Sequence, residues 1–343
     1  RGIFVVGLLD GASIRLGRQV AAECLCLERC LTVRQCLHIG WQLWQLHDEP
    51  VHLPMSQRHR CGELLRGCIL AAALPRLCEQ ITITRWLYPF ENRRWEQVTL
   101  VALRRASPLT RLIGCQHAAL TNQHMHIARA SEDTRPLPDR ILTTGPAAAD
   151  WLVHHGYSFS RIRIGCGLRQ EIKRNRIRQI QRPFRNIIVA LATSRQEYAQ
   201  IARMLAPLDF SRHHWRIRLH PTIPLNGLRH HIFHDLPFDQ ATIQESLAWA
   251  DLVLYASSTL SVEALAQGIP VIALDIVGAH DPIASGMPLH WTMSQANELP
   301  SIIAEINDYS TADFEAAQWS ASKATCHILA PITDNAVDRY LTA

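Results

Sequence analysis

A run of hydroxyl side chains follows the most apolar part of this sequence. Leu252–Tyr255 has the pattern of a buried strand, and Ser257, Ser258 and Thr259 follow it directly, ahead of a helix-like segment that carries Glu263. Ser258 or Thr259 is expected to cap that helix, and the hydroxyls with the first-turn N–H groups form a site for an anion. A carboxylate one turn further on fits a sugar diol. The stretch therefore predicts phosphate and ribose binding, although a simple cap with a first-turn glutamate fits the same residues.

A histidine at the end of another predicted strand strengthens the first of these interpretations. The stretch WRIRLHPTIP, Trp215–Pro224, ends its apolar alternation at His220, and Pro221 then fixes the backbone. An imidazole at the carboxyl end of a parallel strand can hold a phosphate or a leaving group. The alternative is a surface histidine, since the chain has 18 of them.

Strand-like and helix-like segments alternate along the whole chain, which predicts an α/β protein with largely parallel sheets. A polar and basic stretch interrupts the alternation and is the candidate linker. We expect two Rossmann-like domains facing a cleft, divided as residues 1–168, a linker 169–185, residues 186–311 and a helical segment 312–343 that crosses back to the first domain. Residues 18–46 are expected to form one or two core helices, and residues 232–234 a short strand.

Composition narrows the class of protein. The chain has 343 residues with 48% hydrophobic and 19% charged content, which is ordinary for a globular protein of two domains. No apolar run is long enough to span a membrane, so we expect a cytoplasmic protein. The ten cysteines fit reduced thiols; four of them could be interpreted as a metal cluster, but their spacing matches no zinc pattern. These four are Cys24, Cys26, Cys30 and Cys36.

Taken together, the motifs resemble the carboxyl-terminal half of glycosyltransferases of the GT-B fold. His220-Pro221 and Ser257-Ser258-Thr259 are similar to the HP and SS/T motifs of sialyl- and polysialyltransferases, Kdo transferases and CDP-glycerol glycerophosphotransferases. In that group the motifs bind the phosphates of a cytidine-nucleotide donor. The run VEALAQGIPVIAL resembles the general GT-B nucleotide-sugar signature, and the resemblance implies that Glu263 binds the ribose.

Three stretches of the first half resemble proteins of surface-carbohydrate biosynthesis. They are YPFENRRWEQ, IGCQHAALTNQHMH and TTGPAAADWLVHHGY, which begin at Tyr88, Ile113 and Thr143. Residues 1–80 carry no such resemblance. A GT-B first domain often has more strands than the pattern predicts there, so we expect an N-terminus that is truncated or divergent.

A glycosyl transfer needs a base that removes the proton of the acceptor hydroxyl. Glu91 and His117 each follow a predicted strand of the first domain, so either could serve, although Glu91 could instead cap a helix and His117 could hold a loop. Four neighbours are candidates for the acceptor side of the site. They are Asn92, Trp95, Glu96 and Gln116.

The chemistry of the donor site is expected to need neither a metal nor a cofactor besides the nucleotide-activated co-substrate. No Asp-x-Asp motif stands at a predicted strand end, and GT-B enzymes stabilise the leaving phosphate with side chains and helix termini. A cytidine nucleotide is the favoured donor on the resemblance to the HP and SS/T group.

The resulting interpretation is a glycosyltransferase that moves a sugar, or glycerol phosphate, from a nucleotide-activated donor to a surface-polysaccharide or lipid-linked acceptor. Two alternatives stay open: a nucleotide-sugar 2-epimerase of the same fold, and a non-catalytic module that binds an anionic ligand or a nucleic acid. Basic residues in the linker could bind nucleic acid, but they lack the interleaved aromatics of such sites, so we expect no nucleic-acid partner. The same residues predict a peripheral contact with the inner membrane surface.

Overall fold

The computed structural model describes residues 4–7, 23–47, 55–130, 132–168, 177–192, 194–220 and 236–342. The strands in these ranges are β1 Phe4–Gly7, β2 Glu23–Cys26, β3 Arg85–Pro89, β4 Arg111–Cys115, β5 Arg140–Thr143, β6 Ile162–Ile164, β7 Asn186–Ala190, β8 His214–Arg218, β9 Leu252–Tyr255, β10 Val271–Leu274 and β11 His290–Met293. The α-helices are α1 Val33–His47, α2 Met55–Gln80, α3 Arg94–Ala106, α4 Pro146–His154, α5 Arg195–Leu205, α6 Ile243–Trp249, α7 Leu260–Ala266, α8 Leu299–Asp308, α9 Thr311–Ala324 and α10 Asp334–Thr342.

All the described strand pairs are parallel, as the alternation of strands and helices predicts. β3, β4, β5 and β6 form one sheet in that order, and β1 pairs with β2. The second large sheet has the order β11-β10-β9-β7-β8. Because the strands are parallel, the loops that follow them collect at one edge of each sheet, where ligands of such folds usually bind.

Each sheet is built on its own apolar core. β7, β9 and β10 are buried along nearly their whole length, as expected for parallel strands with both faces covered. Together with α5, α7 and α8 they form the second core, whereas β3–β6 pack with α2, α3 and α4 into the first core. The described part of the predicted linker, residues 177–185, contributes Ile180 and Phe184 to the second core.

The first core and the second core meet through the carboxyl-terminal segment. The N–H of Ala330 donates to the carbonyl of Thr144 at 2.7 Å, and Tyr340 on α10 packs against the first sheet. A Cβ on Gly145 would lie 2.6 Å from the carbonyl oxygen of Ile328, so only glycine lets the two segments approach this closely. The chain therefore returns to the first domain after it has formed the second.

The prediction of one or two core helices over residues 18–46 is wrong in part. Glu23–Cys26 is the strand β2, Leu27–Cys30 is a 3-10 helix, and the α-helix begins only at Val33. Short apolar runs fit a strand and a buried helix equally well, and pairing with β1 decides in favour of the strand. Residues 8–22 and the strand expected at 232–234 lie outside the described residues.

Candidate active site

The hydroxyl run lies in the turn that joins β9 to α7. Thr259 occupies the N-cap position in a helical conformation, yet its side chain caps no backbone N–H. The hydroxyl of Ser258 accepts only a long bond, 3.4 Å, from the N–H of Leu260. Helix α7 has only seven residues, so its dipole is weak. An anion at this turn would therefore be bound mainly by the side chains and N–H groups of the turn itself.

Ser257 is used differently from its two neighbours. Its N–H donates to Oε1 of Glu197 at 3.3 Å, and its hydroxyl accepts from the N–H of His280 at 3.0 Å. Glu197 lies in the first turn of α5, which follows β7, and His280 lies after β10, so Ser257 joins the segments that follow three adjacent strands. This serine holds the edge of the sheet together.

The sequence did not identify Glu197 as a site residue, although it contains a signal for the start of helix α5. Ser194 and Glu197 have the spacing of a capping box, and the serine hydroxyl does accept from the N–H of Glu197 at 3.3 Å. The carboxylate makes no reciprocal bond to the N-cap and reaches Ser257 instead. It is 5% exposed, and burial raises the pKa of Glu197.

A second group of side chains that the sequence did not indicate fixes the loop after β10. The hydroxyl of Tyr255 donates to Asp281 at 2.6 Å, and Nε2 of His290 lies 2.8 Å from the other carboxylate oxygen. The Tyr255 hydroxyl is also 3.1 Å from Nε2 of His290. Burial raises the pKa of Tyr255. These contacts hold residues 279–283 over the end of β9, which places His280 beside Ser257.

The other predicted donor ligands lie at the same edge of the second sheet or on the helix behind it. His220 follows β8, which pairs with β7, so it lies on the opposite side of β7 from the hydroxyl run. Pro221 lies outside the described residues. Glu263 is buried on α7, with 7% of its surface exposed.

The structure brings the two predicted bases together. Pro89 of β3 lies opposite Cys115 of β4, and Glu91 and His117 follow at the same level two residues later. Oε1 of Glu91 is 3.5 Å from Nε2 of His117, at side-chain exposures of 38% and 35%. Nε of Arg93 donates to the other oxygen of Glu91 at 2.9 Å. Nδ1 of His117 is buried, and the described part of the chain offers it no hydrogen-bond partner.

Two of the four candidates for the acceptor side shape the turn that carries Glu91. Glu96 is buried and accepts from the N–H groups of Glu91 and Asn92, at 3.1 and 2.8 Å. Burial raises its pKa to about 8, against the opposing effect of these bonds. Asn92 is buried with a φ of 55°, a strained value that the bonds to Glu96 maintain. Both residues therefore position Glu91 in this structure.

The remaining two candidates lie further inside the first domain. Oε1 of Gln116 accepts from the N–H of Thr144 at 3.0 Å and from its hydroxyl at 3.1 Å. Thr144 in turn contacts the carboxyl-terminal segment through the carbonyl of Ile328. Trp95 is half-buried against the first core. Gln116 thus joins β4 to the segment that crosses back, and Trp95 supports the helix that follows Glu91.

The described ranges contain no group of three or more His, Cys, Asp or Glu side chains that could hold a metal ion. Cys24 and Cys26 lie on strand β2, and Cys36 is exposed on α1. Of the helices that the structure describes, none is long and apolar enough to cross a membrane.

No protein-family model matches this sequence, and no curated protein matches it either. Several solved structures are similar to this chain. Anabaena HepE in complex with UDP-glucose superposes with a TM-score of 0.58 at 13% identity, over 99% of this chain and 92% of that one. The glycotransferase of kitacinnamycin gives a TM-score of 0.53 at 13% identity, over 94% of this chain and 87% of that one. The UDP-GlcNAc 2-epimerase of Neisseria meningitidis gives 0.52 at 12% identity, over 99% of both chains.

These identities show a shared fold. The chain has the GT-B fold of two parallel-sheet α/β domains, and the fold class predicted from the sequence is confirmed. Glycosyltransferases and an epimerase both occur among the similar structures, so the reaction has to be argued from the residues of this chain.

Proposed function

We propose that this chain is a glycosyltransferase that moves a sugar, or glycerol phosphate, from a nucleotide-activated donor to a glycan or lipid-linked acceptor. The donor phosphates bind at Ser258, Thr259 and His220, and the ribose binds at Glu263. Glu91 and His117 face them from the first domain. The resemblance to the HP and SS/T group supports a cytidine nucleotide, while HepE, of the same fold, was solved with UDP-glucose.

The observation that carries this proposal is the position of the pair Glu91 and His117. The two side chains lie 3.5 Å apart on loops that end adjacent strands. Ala119, two residues beyond His117, is buried within the second core. The loop that carries His117 therefore contacts the second core, which supports a base at this position.

The pair can supply the base of an inverting transfer. An ionised carboxylate at Glu91 accepts the proton of the acceptor hydroxyl while that oxygen attacks the donor. His117 and Arg93 contact one carboxylate oxygen each, which fixes the direction of the carboxylate. The departing phosphate is stabilised by the hydroxyls and N–H groups of the turn at 257–259 and by His220, without a metal ion.

The place of action is also a proposal. A lipid-linked acceptor would lie at a membrane surface, so a cytoplasmic enzyme with a peripheral contact to the inner membrane fits the proposed reaction. Arg178 and Arg182 of the linker do not serve that contact. Arg178 bonds to Asp251 at 3.1 Å, and Arg182 bonds to the carbonyls at the end of α8. The basic residues at 169–176, outside the described ranges, are the candidates for it.

A thermal-shift screen against CMP, CDP, UDP and GDP tests the proposal. A nucleotide at a hundred times its Kd adds about 2.7 kcal/mol to the free energy of unfolding, which raises the melting temperature by several degrees. The nucleotide that gives the largest shift then identifies the donor sugars to assay for transfer. No shift with any of the four would contradict a nucleotide-dependent enzyme.

The epimerase alternative has one observation in its favour, because the Neisseria enzyme matches this chain over 99% of both lengths. An epimerase needs no acceptor. Conversion of a UDP-sugar to its 2-epimer in the absence of any acceptor would favour it over transfer. Consumption of the donor only when a glycan acceptor is added would favour the transferase.

A further inference from the structure

Arginines collect at the amino ends of the sheet formed by β3–β6. Strands β3, β4 and β5 each begin with an arginine, and another arginine directly precedes β6. These four are Arg85, Arg111, Arg140 and Arg161. They line one open groove of about 1550 Å³, at the edge of the sheet opposite to Glu91 and His117. Because parallel strands start at the same edge, a residue type that recurs at each start forms a row on the surface.

The described part of the chain does not compensate the charge of this row. Arg85 and Arg111 are exposed and lie directly opposite each other on β3 and β4, and neither guanidinium has a hydrogen bond or an ion pair within these ranges. Like charges in this arrangement destabilise a sheet. Arg140 and Arg161 donate only to backbone carbonyls, which are neutral. Asp139, the acidic residue that lines the groove, already pairs with an arginine of α3. The row therefore favours an anionic partner.

Apolar side chains stand beside the arginines. Leu109, on the loop that leads into β4, is 97% exposed, and Phe159, just before β6, is 74% exposed. Leu87 of β3 and Leu341 of α10 are also exposed and line the same groove as Leu109. Exposed apolar side chains that cluster on one surface mark a site of interaction. A nucleic acid would bind the arginines but gain little from three leucines, whereas a bilayer accepts apolar side chains below its phosphates.

We propose that this groove, at the amino ends of β3–β6, docks on a membrane surface that contains anionic lipids. The arginines bind lipid phosphates, for which a guanidinium is a bidentate donor, while Leu109 and Phe159 enter the headgroup region. A second copy of the chain docking by the same face would bring the arginines against one another. The inference rests on the peripheral membrane contact of the proposed function, and it gives that contact a surface within the described residues.

Docking at the groove leaves the proposed active site free. β3 has five residues, so the amino and carboxyl ends of the sheet are about 17 Å apart. Glu91 and His117 follow the carboxyl ends of β3 and β4, whereas the groove lies at their amino ends. A membrane at the groove therefore does not cover the pair, and a sugar chain on a lipid anchor would have to extend by about this distance to reach it.

Vesicle co-sedimentation tests the surface in the absence of nucleotide and acceptor. The probes are vesicles of phosphatidylcholine mixed with phosphatidylglycerol, and vesicles of phosphatidylcholine alone. We expect the wild type to bind the anionic vesicles, to bind the neutral ones much more weakly, and to dissociate as salt is raised, because salt screens the arginines. Equal binding to both compositions, or binding to neither, would overturn the proposal.

The arginines are tested by the variant with both Arg85→Gln and Arg111→Gln. A basic residue near an anionic surface contributes about fivefold to the partition coefficient, so this variant should bind about 25-fold more weakly. Its melting temperature should not fall, because both residues are exposed and the repulsion between them is removed. The matched control, Arg203→Gln with Lys323→Gln, removes the same charge from exposed positions on α5 and α9 and should bind nearly as well as the wild type. An equal loss in the control would show that net charge alone drives binding, and the groove would be wrong.

The apolar side chains distinguish a bilayer from a soluble polyanion. Leu109→Ser and Phe159→Ser change exposed side chains, so both variants should fold, and each should bind anionic vesicles several-fold more weakly. Val277→Ser, at another exposed apolar position beyond β10, is the control and should have no effect. Unchanged vesicle binding in both Leu109→Ser and Phe159→Ser would indicate a soluble polyanion and contradict membrane docking.

The basic residues of the linker provide a further comparison. Lys173→Gln with Arg174→Gln removes two charges from the stretch at 169–176, and we expect a smaller loss of vesicle binding than in the groove variant. Binding that is lost in the linker variant but kept with Arg85→Gln and Arg111→Gln would assign the contact to the linker and overturn the groove. A protein whose melting temperature responds to a nucleotide but which binds no vesicles would contradict this inference alone and leave the proposed transferase standing.

Discussion

The carboxyl ends of the strands in the two large sheets carry different polar groups. At the first, Glu91 and His117 are partly exposed, and the polar residues behind them, Glu96 and Gln116, are buried. At the second, the partly buried groups are neutral hydroxyls, and the carboxylate of Glu197 is buried beside Ser257. The first edge thus offers groups that can take a proton, and the second offers donors to a negative charge. On the proposed function, this difference separates the catalytic base from the groups that bind the donor phosphates.

Removing the base should have the largest effect. We expect Glu91→Gln to lower the turnover number by about 10²- to 10⁴-fold, the usual contribution of general base catalysis. The Kd of the nucleotide should stay the same, because Glu91 belongs to the other edge. Glu315→Gln, at an exposed position on α9, is the matched control and should change neither quantity. A loss of nucleotide affinity in Glu91→Gln would show that the first edge also takes part in nucleotide binding.

The second edge is tested by removing the hydroxyls. In the variant with both Ser258→Ala and Thr259→Ala, two bonds to a charged group are lost, each worth about 1.5–3 kcal/mol. Titration calorimetry should show donor affinity at least tenfold weaker. Ser257→Ala is the comparison: we expect a smaller loss of affinity together with a lower melting temperature, since the N–H of His280 loses its acceptor. Equal effects from both variants would mean that the three hydroxyls share one role.

The ribose contact should have a smaller effect. Glu263→Gln keeps the size of the side chain and weakens its acceptance of two hydroxyl protons, so affinity for a ribonucleotide should fall several-fold. The wild type should prefer the ribonucleotide over its 2′-deoxy form, and the variant should prefer it less. A fall of a degree or so in melting temperature with unchanged affinity would instead identify Glu263 as a residue that supports α7.

The buried Glu96 predicts a dependence of stability on pH. Its pKa in the folded protein, about 8, exceeds the ordinary 4.5, so its contribution to stability is full below 4.5 and is lost as the pH rises through 8. The melting temperature of the wild type should therefore fall relative to that of Glu96→Gln between about pH 5 and pH 8. Parallel melting curves for the two proteins over this range would show that Glu96 is not titrating there.

Chelation should have no effect. We expect donor binding and transfer to persist in EDTA, because the proposed phosphate ligands are hydroxyl and N–H donors and His220 rather than a cation. Activity that requires added Mg²⁺ or Mn²⁺ would contradict the assignment of these residues as the phosphate ligands.

The sequence located both edges because each lies where an apolar run stops. β9 ends before Ser257 and β3 ends before Glu91, and a buried parallel strand is visible as such a run. The contact between Glu197 and Ser257 was not predictable in the same way, since it depends on β9 lying beside β7, although 60 residues separate the two side chains. Strand β2 was missed because four residues do not establish a period.

A crystal structure with bound nucleotide tests the central claim most directly. The protein would be crystallised with the nucleotide that raises its melting temperature most. We predict phosphate oxygens within about 3 Å of the Ser258 and Thr259 hydroxyls, with the ribose against Glu263 and the pair Glu91 and His117 facing the free end of the phosphate. A nucleotide bound elsewhere, with the 257–259 turn unoccupied, would contradict the assignment of this edge as the donor site.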